Sequence, residues 1–142
     1  MEEQFWNRRF FILITGASRG FGRTLAHIFS SKVSKDSQII ILGRNKEKLE
    51  SVKEEIKNDN SNISVNTVNI DLAKPNAAEF QKILEPFKET NYDVYILINN
   101  VGSVGDISKD ASSFNDNEEL TKYYELNVNS PIVMTSVFLK LF

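Results

Sequence analysis

The chain has 142 residues, enough for one domain with a real core and short for two. Its 41% hydrophobic and 25% charged content is that of an ordinary globular protein, and a net charge of −2 with no block of like charge argues against nucleic acid or an anionic membrane as partner. Cysteine is absent, which excludes disulfides, thiolate metal sites and a cysteine nucleophile.

The amino terminus opens on acidic residues. The apolar run at 10–14 is far too short for a signal-peptide core or a membrane span, so the expected address is cytoplasmic. That run leads into a glycine turn and reads as a buried parallel strand. Phe21, Leu25, Ile28 and Phe29 then recur at helical spacing. Residues 38–42 are a second strand candidate, followed by a helix with Leu49, Val52 and Ile56 on one face and Lys and Glu on the other. Residues 63–68 read as a third strand.

Pro75 suits the first turn of a third helix with Phe80, Ile83, Leu84 and Phe87 inward. Residues 94–98 form a fourth strand, and a polar loop follows. Asp116 or Asn117 caps a last helix carrying Leu120, Tyr123, Tyr124 and Leu126, which runs toward Phe142 with a possible kink at Pro131. Such alternation predicts an α/β fold: a Rossmann-type doubly wound parallel sheet over residues 1–142, truncated after about four strands.

Residues 15–22, Thr-Gly-Ala-Ser-Arg-Gly-Phe-Gly, fall where the first strand turns into a helix. Glycine there permits positive φ and close approach to a pyrophosphate, and the first helical amides meet the anion. The expected cradle is Gly16, Ser18, Arg19, Gly20, Phe21 and Gly22. After the second strand an NAD site carries an acid for the ribose 2′-hydroxyl. This chain has Arg44 and Asn45 instead, and Arg19 offers a second cation, so NADP(H) is the expected cofactor. Arg44 also fits as a solvated residue opening a helix.

The spacing Thr-Gly-x-x-x-Gly-x-Gly resembles the signature of the short-chain dehydrogenase/reductase family. The resemblance implies that Asp71 bonds the adenine amino group while the backbone of Leu72 helps hold the ring; a helix cap near Pro75 is the other role open to Asp71. Asn99-Asn100-Val101-Gly102 resembles the family's Asn-Asn-Ala-Gly motif, with valine adding bulk, and implies that the Asn99 and Asn100 amides tie the fourth strand to its neighbours while the small residues, Gly102 among them, pass under the nicotinamide ribose. Asn127 matches the family asparagine that positions a water in the proton relay; it fits equally as a residue satisfying a helix carbonyl.

The stretch from Thr15 to Ala26, Arg44-Asn45, the segment from Gly102 to Lys109 and Tyr123-Tyr124-Glu125-Leu126-Asn127-Val128 together resemble the sepiapterin reductase branch. This implies NADPH-dependent reduction of a pterin side-chain ketone in tetrahydrobiopterin formation, a small-molecule substrate and a homodimer. Reduction of other vicinal diketones, or a non-catalytic NADP-binding or interaction module from a shortened isoform, are the alternatives. Family chemistry needs a serine and a Tyr-x-x-x-Lys pair. Four residues beyond Tyr92, Tyr95, Tyr123 and Tyr124 stand Ile96, Asn99, Asn127 and Val128, so the 142 residues alone are expected to be inactive. An unpaired apolar fourth strand is further expected to leave the chain marginally stable. His27 has no ligand partner at metal spacing, and Phe5 and Trp6 are expected to pack beside the first strand.

Overall fold

The computed structural model describes residues 2–113 and 117–142. Four parallel strands, β1 (Phe10–Thr15), β2 (Gln38–Gly43), β3 (Ser64–Asn69) and β4 (Val94–Ile98), form one sheet in the order β3-β2-β1-β4. Central β1 and β2 are buried along their whole length, as continuous apolar runs covered on both faces must be. At the edge, β3 reads Ser-Val-Asn-Thr-Val-Asn and buries only Val65 fully. Among the described residues β4 pairs with β1 alone, so its outer edge is open.

Strand alternation divides the core in two. Phe10, Ile12 and Ile14 point with Ile39 and Ile41 toward α2 (Gly20–Lys32) and α3 (Lys46–Asp59), packing on Ala26, Leu49, Val52 and Ile56. Phe11 and Leu13 point with Ile40 and Leu42 the other way, toward α4 (Ala77–Leu84) and α6 (Ser130–Leu141), packing on Phe80, Leu84, Met134 and Phe138. The short α1 (Glu2–Trp6) sets the Trp6 ring 5.5 Å from Phe10, beside β1 as expected.

The fully buried stripe of α2 is Gly22, Ala26 and Ser30, four residues apart; Leu25 and Phe29 pack partly buried against the same core, while Phe21 and Ile28 face solvent. The cause is close approach: a Cβ on Gly22 would lie 2.5 Å from the Gly16 carbonyl oxygen. Pro75 does not open α4. Asn76 is the cap, its carboxamide oxygen accepting from the Ala78 and Glu79 amides, and the proline stands before it. Asp71 caps no helix either; its Oδ1 accepts from the Ala73 amide and closes a tight turn.

The last helical region is α5 (Asn117–Tyr124), a π-helical turn over Glu125–Asn129, and α6. Pro131 has no amide to donate, and its ring would crowd the carbonyl four residues back in a regular helix. The wider π turn, with the Ser130 amide bonded to the Glu125 carbonyl, takes up that misfit. The cap expected at Asp116 lies outside the described residues. No helix among them is long and apolar enough to cross a membrane.

Candidate functional site

A cleft of about 490 Å³ opens at the carboxyl ends of all four strands. It crosses the crevice where the chain leaves central β1 for β2 on one side and β4 on the other, the place where open parallel sheets bind ligands. Each strand brings a short segment to it. The end of β1 contributes Gly16, Ser18, Arg19 and Gly20; that of β2, Gly43, Arg44, Asn45 and Lys48; that of β3, Ile70, Asp71 and Leu72; that of β4, Asn100, Val101, Gly102 and Ser103. Leu126 closes it from the π turn.

Gly16 and Gly20 have φ of +68° and +57°, which a side chain would strain. The start of α2 differs from that of its neighbours. Asn45 caps α3 and Asn76 caps α4, whereas Arg19 at the α2 cap is extended and supplies no side-chain bond. The first turn of α2 also holds no acid. Its leading amides thus lack a partner from a cap and sit over the cleft, the arrangement that receives an anion.

One hydroxyl joins this loop to β4. Thr15 Oγ1 accepts from the Asn100 amide at 2.9 Å and the Val101 amide at 3.0 Å, and donates to the Ile98 carbonyl at 3.3 Å. Asn100 answers by donating Nδ2 to the carbonyls of Thr15 and Gly16 at 2.9 and 3.2 Å. Asn99 turns away and donates to Thr135 Oγ1 on α6 at 3.0 Å, so it does not line the cleft. Phe21 and Gly22 also stand outside the lining; Phe21 is 70% exposed.

Asn127 sits in the π turn behind the β4 loop. Its Oδ1 accepts from the Ser103 amide at 2.9 Å and its Nδ2 donates to the Tyr123 carbonyl at 2.9 Å. The helix-carbonyl role is therefore present, with a second bond that fixes the loop at Gly102 and Ser103. Beyond it, Asp106 accepts from the Ser108 hydroxyl and amide, which hold its carboxyl below the usual range. Gly105, with φ of +73°, lies against the Tyr123 ring.

The lining carries three cations, Arg19, Arg44 and Lys48, against one carboxylate, Asp71. None of the three cations forms an ion pair among the described residues. Gly43, Lys48, Ile70, Ser103 and Leu126 are lining residues that sequence reasoning missed. For Lys48 a signal existed: it stands in the first turn of the helix that follows Arg44 and Asn45, at the carboxyl end of β2. Tyr92 and Tyr95 are spent elsewhere. Tyr95 Oη donates to the Thr90 carbonyl and accepts from the Tyr92 amide, and burial pushes the Tyr92 phenol up.

A family model described as short chain dehydrogenase matches residues 11–142. The sepiapterin reductase of Xenopus laevis is 36% identical over 132 residues, 92% of this chain and 50% of that protein. The benzil reductase ((S)-benzoin forming) of Bacillus subtilis is 30% identical over 132 residues, again 92% of this chain and 48% of that one. A short chain dehydrogenase structure from Escherichia coli in complex with NADPH superposes with a TM-score of 0.80 at 27% identity, covering 99% of this chain and 56% of that chain. The chain thus spans about half the length of the relatives it matches.

Proposed function

The chain belongs to the short-chain dehydrogenase family, and from that premise we propose that its 142 residues hold NADP(H) for carbonyl reduction of the sepiapterin reductase type. The observation that carries this reading is the end of β2, where an NAD-binding site places an acid: here Arg44 stands, with Arg19 and Lys48 in the same cleft and no carboxylate paired to any of them. The residues fit the group. Uncapped α2 amides suit its pyrophosphate, the cations suit a 2′-phosphate, and the second oxygen of Asp71 suits the adenine amino group beside Leu72.

When bound, the reduced nicotinamide supplies a hydride to a substrate carbonyl. The protein's own part is positional. Gly16 and Gly20 keep the loop clear of side chains, and Ser18 and the following amides take the phosphates. Arg44 and Arg19 bind the 2′-phosphate, and Asn45 holds the start of α3 beside them by accepting from the Lys48 amide at 2.8 Å. Thr15 and Asn100 lock the β4 end against the glycine loop, so that Gly102 offers a flat wall on the nicotinamide side. Asn127 anchors that wall through Ser103. No tyrosine here has a lysine four residues on, so proton delivery falls to residues other than these.

The likeness to sepiapterin reductases supports a pterin ketone as substrate. The likeness to a benzil reductase supports a second reading, another vicinal diketone. Steady-state assays of a form carrying the serine and Tyr-x-x-x-Lys, on sepiapterin against benzil, separate the two. Tetrahydrobiopterin formation, a homodimer and a cytoplasmic site belong to the first proposal through the family resemblance. The cofactor half is tested on this chain. Arg44→Met should weaken NADPH about ten-fold or more, the worth of a charge-assisted bond, and NADH by less than about two-fold. Equal losses in an equilibrium titration would remove the 2′-phosphate assignment.

A further inference from the structure

Neither the glycine loop nor the arginine after β2 accounts for Lys48, yet it lines the same cleft as both. We propose that Lys48 completes a three-cation site with Arg44 and Arg19 for the 2′-phosphate and so sets preference for NADPH over NADH. This rests on the reading of the cleft as an NADP(H) site.

The placement of Lys48 runs against local helix electrostatics. It lies in the first turn of α3, where the helix dipole disfavours a cation. Its neighbours three and four residues away are Asn45, Arg44, Ser51 and Val52, which include no carboxylate and one like charge. Lys46, in the same turn, is different: it faces Glu50, and its charge helps hold that carboxyl low. Lys53 also bonds Glu50, at 3.3 Å. Lys48 alone of these three lysines has no such partner among the described residues, and it alone faces the cleft.

Its backbone is fixed while its head is free. The Lys48 amide donates to Asn45 Oδ1, and the next residue, Leu49, is completely buried in the core. The side chain is exposed, so its ammonium is a mobile point charge on an anchored stem. Unpaired cations that line one cleft repel each other, and an anion between them relieves that repulsion. A phosphate dianion is such an anion; a ribose hydroxyl is not. The repulsion therefore discriminates between the two cofactors, since only one relieves it.

Equilibrium titrations of the 142-residue chain with NADPH, NADH and adenosine 2′,5′-bisphosphate test this, with Lys48→Met, Lys48→Arg and Arg44→Met alongside. Lys48→Met should weaken NADPH and the bisphosphate by about five- to ten-fold and NADH by less than about two-fold, with Lys48→Arg keeping most of the affinity. Far-UV circular dichroism checks that the exposed substitution leaves the fold intact. If Arg44→Met abolishes NADPH preference while Lys48→Met leaves it untouched, or weakens both cofactors equally, the role of Lys48 is overturned and the NADP(H) reading stands. If the unsubstituted chain shows no preference for NADPH, both fall together.

Discussion

The Thr15 hydroxyl serves two amides and one carbonyl at the point where β1 gives way to the glycine loop, while the Asn100 carboxamide returns two bonds to the same turn. The Asn100 amide also bonds the Ile98 carbonyl at 3.0 Å, whereas the Val101 amide bonds the threonine hydroxyl alone among the described residues. Valine at position 15 matches threonine in shape and removes the acceptor. Leaving the Val101 amide unpaired at about 1–3 kcal/mol, tempered by partial solvent access, predicts a loss of about 1–2 kcal/mol for Thr15→Val. Urea unfolding measures it; a change below about 0.5 kcal/mol would show that water replaces the hydroxyl. The residue types at Gly16, Arg19, Arg44 and Asp71 were legible in the sequence because each motif is local. Asn99 was not: adjacent strand residues point to opposite faces, and only packing decided that it bonds Thr135 on α6.

Between elements, α2 and α3 are joined on their outer side by a cluster of charges. Arg23 Nη2 stands 2.6 Å from Glu55, His27 Nε2 stands 3.0 Å from the same carboxylate, and Ser51 bonds its other oxygen. The Arg23 guanidinium chiefly, with Ser51 and His27, holds the Glu55 carboxyl below its ordinary 4.5 against the opposing effect of burial. The folded value is lowered, so the stabilisation is fully present above pH 4.5 and is lost as pH falls through the folded value. The pair is partly exposed, so the effect is small. Urea midpoints of the unsubstituted chain and Glu55→Gln should therefore converge as pH drops below 4.5 and the Glu55 carboxylate takes up its proton. A gap that persists unchanged at pH 3 would mean the residue acts by packing rather than charge. Element types and order followed directly from apolar periodicity. Element ends did not, because Asn76 outcompetes Pro75 as the opening of α4 and a π turn precedes Pro131.

Across the whole molecule, the sheet ends in β4, a run of Val-Tyr-Ile-Leu-Ile that is half-buried throughout. Its amides and carbonyls on the outer side have no strand partner among the described residues. Such an edge is a template for pairing with another chain. The 142-residue chain should self-associate as its concentration rises, which sedimentation velocity would follow; a single monomeric species up to about 100 μM would count against an available edge. Phe142 covers one face of this strand, its ring stacked 4.9 Å from Tyr95, but a face contact leaves the hydrogen-bonding edge open.

The sequence by itself determined the parallel α/β class, the four strands, the glycine turn and the replacement of an acid by Arg44, because local spacing and strand burial are written in consecutive residues. The tertiary structure alone decided which residues share the cleft. Strand order β3-β2-β1-β4 brings Arg19, Lys48, Asp71 and Gly102 together from four separate segments. It also decided that the fully buried stripe of α2 is Gly22, Ala26 and Ser30, since how closely a helix approaches a strand is a property of their contact and of neither sequence segment alone.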